Sequence, residues 1–410
     1  MSAVTEQTAT QTGLTGLDTV RPSIKLLHQI EQDLNSQLLE RQEIIRASLV
    51  ALVAKKHMVL IGPPGTAKSA LINKLAERIT PCESFIRLLT KFSTPDEIFG
   101  PIDVMGLKER RHEHIITKKL PEAHIAFLDE IFKANSAILN SLLTILNERQ
   151  FDNGVNRIHT PLISLLGASN ELPEGPELGA LWDRFILRFE VGPISDSSFM
   201  SLLKLNGNFY AAPTATISLT ELASLQEFAK QIMVPDGILE QIFKLRKTLQ
   251  EIGITASDRR WYQSLSLLRS HALLSERDTV DEEDLNILSH ALWEKPDQQP
   301  QIARIVARLA NPLAAKVLEL SDQATSVFDE AKRAHEQAGN NEQKVMAAVE
   351  GLGKLEIIAK EARALYQKAK SQGFSQRHLD KITKVGRGII KLREQLSALA
   401  IGPQITFEGE

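Results

Sequence analysis

"GPPGTAKS" (residues 62–69) joins the apolar run "HMVLIG" (57–62) to the helical pattern "SALINKLAERI" (69–79). A buried strand, a glycine-bearing loop and a helix in that order place backbone N–H groups at a helix N-terminus, where partial positive charge favours phosphate. The stretch fits G-x-x-x-x-G-K-[ST] at Gly62, Lys68 and Ser69 and departs from it at Ala67, where the pattern has its second glycine. On this reading Gly62, Pro63, Pro64, Gly65, Thr66, Ala67, Lys68, Ser69 and Ala70 wrap the phosphates of ATP. Lys68 reaches the β- and γ-phosphates and Ser69 binds Mg²⁺. Alanine at 67 keeps the side chain small, and it is tolerable only if the backbone there is not at positive φ.

Some sixty residues on, "HIAFLDE" (124–130) is a second apolar strand, ending in two carboxylates. Beside a phosphate loop, Asp129 is placed to hold the metal and Glu130 to polarise the attacking water. "KANSAILNSLLTILNER" (133–149) carries Ile138, Leu142, Ile145 and Leu146 on one helical face. "FDNGVNRI" (151–158) reads as a hairpin with Asn153-Gly154 in a type I′ turn. "LISLLGASN" (162–170) and "LRFEV" (187–191) are further strands. Strands alternating with helices predict an α/β fold with a mostly parallel, doubly wound sheet, a P-loop NTPase domain over 21–195.

Residues 1–20 are Thr-, Gln- and Ser-rich and read as a flexible tail. From Ser23 to Lys55 apolar residues recur at three and four, as in a helix. After Pro193 the strand signal fades. Residues 196–297 read as an all-helical domain, with helices at Pro235–Leu249, Asp258–Leu274 and Asp281–Trp293 and a linker at "EKPDQQPQ" (294–301). Residues 305–400 read as three amphipathic helices in a bundle or arm. Asn311-Pro312 opens the first, a seam from Val345 to Tyr366 marks the second, and Gly373 precedes the third. Gly351 and Gly353 leave room for close packing in the second.

The 410 residues suffice for two or three domains, and a net charge of -3 with few aromatics (5%) disfavours nucleic-acid binding. One cysteine allows no internal disulfide, and no apolar run is long enough to span a bilayer. These features and the N-terminal pattern predict a cytoplasmic protein. His112, His114 and His124 lack metal-ligand spacing and read as a solvated loop. No second catalytic constellation is present, so hydrolysis would do mechanical work.

"GPPGTAKS", "AFLDEIFKANSAILNSLLTILNERQF", "GASNELPE", "LWDRF" and "SDRRW", in this order, resemble the MoxR branch of the AAA+ ATPases over residues 23–297. "FSTPDEIFGP" (92–101) and "ASNELPE" (168–174) resemble its regulatory ATPase variant A group most. In that branch a small residue commonly precedes the P-loop lysine. The resemblance implies an αβα nucleotide domain followed by an all-α lid. It implies that Asn170 is sensor 1, Arg184 the arginine finger (Arg188 its rival) and Arg259 the sensor-2 arginine (Arg260 its rival). A finger acting on a neighbour's ATP implies a homo-oligomer, expected as a hexameric ring. The hairpin at 151–158 and the "KERRHEH" segment within 101–120 resemble the branch's pore- or substrate-facing insertions. The implied function is a chaperone-like remodeler of protein or metalloprotein complexes, with a partner bearing a von Willebrand factor A domain. The alternatives are a nucleic-acid-linked or defence-system motor subunit and a nucleotide-gated scaffold. Group members carry a β-rich insert in their C-terminal helices; residues 305–400 hold no such pattern, so its binding roles are not expected here.

Overall fold

A computed structural model of the chain describes residues 12–204, 211–310, 312–371 and 376–401. Two compact units divide between Val306 and Ala307.

In the first unit the strands are β1 (His57–Ile61), β2 (Ile79–Thr80), β3 (Ser84–Leu88), β4 (Ile125–Asp129), β5 (Gln150–Asn153), β6 (Asn156–His159), β7 (Ser164–Ser169), β8 (Phe185–Glu190) and β9 (Ile217–Ser218). Five of them form one parallel sheet in the order β3-β4-β7-β1-β8. β1 and β7 are buried at every residue, as both-faces-covered parallel strands must be. The architecture is the expected α/β one, a parallel sheet with helices, then a mainly helical segment and a helical C-terminal region.

Helix α1 (Thr12–Gln37) buries Ile24, Leu27, Ile30 and Leu34, and α2 (Gln42–Ala54) leads into β1. α1 starts inside the segment expected to be tail, because Leu17 and Val20 are buried anchors in an otherwise polar stretch. Residues 1–11 lie outside the described residues. After the phosphate loop, α3 (Lys68–Ala76) stops before Ile79, which instead pairs with Ile217 in the small β2-β9 sheet. A buried ion pair, Arg78–Asp33 at 2.6 Å, ties the end of α3 to α1.

Short helices α4 (Pro95–Phe99) and α5 (Val104–Lys108) precede β4, and α6 (Ser136–Glu148) leads to the β5-β6 hairpin. In this hairpin Asn153 pairs with Asn156, so the two loop residues are Gly154 and Val155. Gly154 is at φ 66° while Asn153 stays in the ladder, so the expected type I′ turn on Asn153-Gly154 does not form. The reason lies elsewhere in the chain: the Asn153 side chain accepts from the N–H of His114 at 2.6 Å and donates to its carbonyl at 3.2 Å. Hairpin and 101–120 segment thus form one tip, with the His114 ring against Phe151 at 6.1 Å and Phe99, at the end of α4, stacked on Phe151 at 5.3 Å.

Helix α7 (Pro176–Arg184) enters β8, after which come α8 (Asp196–Leu203), α9 (Leu219–Ala229), α10 (Asp236–Glu251) and α11 (Asp258–Leu274). Glu282–His290 is a 3-10 rather than an α-helical segment. The expected linker at 294–301 is not one: Pro296–Gln298 is a 3-10 turn and α12 (Gln299–Ala310) follows, with Ile302 and Val306 buried. Pro300 fits because it falls in the first turn, where no N–H is needed.

The second unit is a bundle of α13 (Pro312–Gln337), α14 (Asn341–Ser371) and α15 (Gln376–Ile401). Asn311 and Gly373 lie outside the described residues. Leu320, Ala324, Ala348, Leu355, Ala359 and Leu396 are in its core, and Ile358 joins them, whereas Val345 of the expected seam is exposed. The two α14 glycines differ. A Cβ at Gly351 would lie 2.5 Å from Ala331 Cβ and 2.7 Å from Leu396 Cδ2, whereas one at Gly353 would meet nothing within 4 Å. Only Gly351 is needed for close packing.

Candidate nucleotide site

The loop 62–67 leaves the carboxyl end of β1, and Asp129 and Ser169 end the neighbouring strands at the same sheet edge. Crevices outside the carboxyl ends of parallel strands are where such folds bind ligands. Gly62 is required by contact: its N–H donates to Ser169 O at 2.9 Å, and a Cβ would lie 2.1 Å from Val191 O. Ala67, the residue before α3, sits at φ 64°, ψ 21°. The expectation that alanine demands a non-positive φ here is overturned; the chain holds an L-residue in the left-handed region, at about 1–2 kcal/mol.

Lys68 is buried, and its Nζ donates to Gly62 O at 2.7 Å and Pro63 O at 2.8 Å. Burial pushes its pKa down, and the carboxylates of Asp129 and Glu130 act the other way. Ser69 Oγ donates to Asp129 Oδ2 at 3.3 Å, so the two residues expected to hold Mg²⁺ are already neighbours. This hydroxyl–carboxylate pair beside a phosphate loop is a hard-oxygen donor set that fits Mg²⁺. Glu130 also lies in the left-handed region, at φ 54°. Its Oε2 is buried, accepts no hydrogen bond, and has Lys133 Nζ at 3.3 Å. Asn170 is exposed and directly follows β7, whose Ser169 pairs with Ile61 of β1. The phosphate loop, Asp129, Glu130 and Asn170 therefore share one edge.

The arginines do not share it. Arg184 immediately precedes Phe185, which pairs with His57 at the opposite end of β1. Five strand residues at ~3.3 Å each put about 16 Å between that end and the phosphate loop. Arg259 donates to Asn147 Oδ1 at the carboxyl end of α6, on the same far edge. Arg184 keeps its Nε without a hydrogen-bond partner and is 3.6 Å from Asp183. Burial and the charge of Arg259 lower its pKa. The two rivals are spent inside the protein. Arg188 is fully buried, donates to the carbonyls of Phe185, Trp182 and Trp293, and lies 4.1 Å over the Trp182 ring. Arg260 is fully buried and donates to Ile186 O at 3.1 Å, Ala291 O at 2.6 Å and Phe185 O at 3.2 Å.

Sequence reasoning missed one wall of the site. A cleft of about 330 Å³ adjoins Pro64–Ala67, lined also by Leu38, Arg41, Ile194, Phe199 and Leu202. Arg41 is buried and donates to Thr66 O at 3.4 Å and Gly192 O at 2.7 Å, joining the phosphate loop to the end of β8. Glu40, at φ 57°, accepts from the Ser195 N–H at 3.0 Å and from its hydroxyl, which holds its pKa down at about 2. The available signal was the break in apolar periodicity at "ERQE" (40–43), a charged joint between two apolar helices.

Residues 25–229 match the family described as the MoxR domain in the MoxR-vWA-beta-propeller ternary systems, and residues 237–306 match an AAA lid domain. Two uncharacterized proteins of Methanocaldococcus jannaschii are 40% and 37% identical over 308 and 337 residues. Those alignments cover 75% and 82% of this chain and 80% and 88% of the relatives. The chaperone MoxR1 of Mycobacterium tuberculosis is 26% identical over 277 residues, 62% of this chain and 71% of that one. A crystal structure from Cytophaga hutchinsonii, described as an ATPase candidate, superposes with a TM-score of 0.58 at 17% identity, over 71% of this chain and 96% of the other.

Proposed function

The chain belongs to the MoxR family of AAA+ ATPases, and we propose that it hydrolyses ATP at sites completed across subunits of a homo-oligomeric ring, a hexamer, to remodel protein complexes. The observation that carries the reading is the separation of edges. Lys68, Ser69, Asp129, Glu130 and Asn170 share one end of the sheet, while Arg184 and Arg259 lie at the other. An arginine about 16 Å from its own phosphate loop serves a neighbour's ATP instead.

In this reading the loop N–H groups and Lys68 bind the phosphates, and Lys68 leaves the carbonyls of Gly62 and Pro63 to do so. Ser69 and Asp129 hold Mg²⁺, which supplies neutralisation of phosphate charge when bound. Glu130 takes the proton of the attacking water, with Asn170 orienting that water. Arg184 and Arg259 of the adjacent protomer meet the charge developing on the γ-phosphate, a role worth about 10³ or more in rate.

The work is chaperone-like, in line with the relative named as a chaperone, and metalloprotein complexes are among the substrates we envisage. A protein with a von Willebrand factor A domain is the proposed partner, supported by the ternary systems for which the matched family is described. The composite tip of hairpin and 101–120 segment presents Val155, 98% exposed, with Met105 and Val104 also exposed, an apolar surface suited to a protein client. The finer likeness to the regulatory ATPase variant A group rests on "FSTPDEIFGP" and "ASNELPE". No described helix is long and apolar enough to cross a membrane, and we place the work in the cytoplasm.

The test is ATP turnover per subunit against protein concentration, with Glu130→Gln as control. The reading requires turnover per subunit to rise with concentration and to vanish in the variant. Turnover independent of concentration would sink the shared site.

A further inference from the structure

Lys56 lies one residue before β1 and Arg184 one residue before β8, and the first residues of these two strands pair. They are therefore neighbours at the edge opposite the phosphate loop. Arg149 and Arg259 complete a cluster of four cations there. Arg149 is committed: it donates to Leu146 O at 2.9 Å, His57 Nε2 at 2.6 Å and Lys55 O at 3.1 Å. Arg259 is held by Asn147. Asp183, the carboxylate beside Arg184, is shared with Arg260 at 3.7 Å and the Ser257 hydroxyl at 3.2 Å. Lys56 is half-buried, and its ammonium has no hydrogen bond or ion pair among the described residues. Burial, then repulsion from Arg149 and Arg259, lower its pKa to about 8, which leaves it mostly charged at neutral pH.

Like charges gathered in a partly desolvated place oppose folding, and a structure normally relieves them with carboxylates. Among the described residues, the ion pairs at this edge bring in Asp183 alone. The missing counter-charge is of the kind a polyanion brings.

We propose that Lys56 is a third cation of the trans-acting edge and that, with Arg184 and Arg259, it contacts the triphosphate of the ATP held by the adjacent protomer. This rests on the reading that the arginines act across subunits. In that role Lys56 adds charge that Arg149, tied to carbonyls, cannot bring forward. It is a point charge on a flexible stem, suited to following an anion that moves as the γ-phosphate leaves.

The full chain carrying Lys56→Ala should bind a fluorescent ATP analogue within about twofold of the parent, because its own pocket is about 20 Å away along six strand residues. Its ATP turnover should fall at least tenfold, and Lys56→Arg should recover most of that loss. Mixed with Lys68→Ala protomers, which cannot hold ATP but carry an intact Lys56 edge, the Lys56→Ala protomers should regain turnover above either alone. Turnover within twofold of the parent, loss of analogue binding, or no gain on mixing would each overturn the proposal. Arg184→Ala, mixed in the same way, separates the two levels. If it regains turnover while Lys56→Ala does not, only the role of Lys56 fails. If neither does, the across-subunit reading fails with it.

Discussion

Arg184→Ala and Arg188→Ala make the same chemical change four residues apart, and they should fail in different ways. Arg188 is fully buried and holds the carbonyls of Trp182, Trp293 and Phe185, with Glu294 at 3.1 Å. Its removal leaves those acceptors unpaired at about 1–3 kcal/mol each before relaxation, and breaking a buried pair costs about 3–5 kcal/mol. Because Glu294 is 42% exposed and water can reach it, the pair adds little, and after relaxation the low end of the carbonyl cost, about 3–4 kcal/mol, is to be expected. At roughly 2–4 °C per kcal/mol for a domain of this size, the melting temperature should drop by about 10 °C. Arg184 holds no carbonyl in this way; its Nε has no partner and Arg259 repels it. Arg184→Ala should therefore shift stability by no more than about 0.5 kcal/mol and cut turnover about 10³-fold with ATP binding kept. Thermal melts paired with turnover of the folded fraction decide it. The reasoning is refuted if Arg184→Ala melts as early as Arg188→Ala, or if Arg188→Ala folds normally and loses only turnover.

Three further outcomes follow from local geometry. Gly353→Ala should stabilise the C-terminal bundle by about 1 kcal/mol through helix propensity, while Gly351→Ala, meeting Ala331 and Leu396, should destabilise it by about 1–3 kcal/mol through overpacking; chemical denaturation monitored by helical signal reads both. Ala67→Gly should relieve the left-handed strain at φ 64° and leave turnover within a few-fold, with net stability rising by less than about 1 kcal/mol, since glycine also loosens the unfolded chain. Arg41→Ala should weaken ATP binding more than it lowers turnover at saturation, because it frees Thr66 O and Gly192 O around the cleft without touching Glu130 or Asp129; a KM-against-kcat comparison checks this.

The part of the site legible in the sequence was the part whose chemistry is local. A strand, a six-residue loop, a lysine and a hydroxyl are contiguous in "HMVLIGPPGTAKS", and a carboxylate pair ends its own strand in "HIAFLDE". What stayed illegible was decided by distant residues. Arg184 and Arg188 are the same residue type in "LWDRFILRF", and the partners that help commit Arg188 to the interior include Trp293 and Glu294, more than a hundred positions on. The turn at Asn153 is set by His114, 39 residues earlier, which captures the side chain that would otherwise favour a type I′ turn. The linker reading of "EKPDQQPQ" failed because composition alone does not reveal that Ile302 and Val306 bury the helix that follows. Arg41 escaped notice because nothing in its own segment marks it as a bridge to Thr66 and Gly192.

The two half-buried arginines of the far edge come from different elements of the first unit, Arg184 from the end of α7 and Arg259 from the lid helix α11. Their buried rivals explain why they stay together. Arg260 nails the start of α11 to the carbonyls of Phe185 and Ile186 on β8, and also to Ala291 in the lid. Arg188, on β8, reaches back to Trp293 and Glu294 just beyond it. These crossed clamps tie β8 to this part of the lid, so in the proposed ring Arg184 and Arg259 would reach a neighbour as a pair. The phosphate-loop side is joined differently: Arg41 and Glu40 grip Thr66, Gly192 and Ser195 through a handful of hydrogen bonds, beside an open cleft lined by Leu38, Ile194, Phe199 and Leu202. Motion that follows nucleotide should therefore be taken up at the Glu40–Arg41 joint and the 192–195 segment, while the arginine-bearing edge keeps its geometry. In the proposed ring, that division of labour would make the joint, rather than the arginines, the place where the state of one pocket is passed to the next.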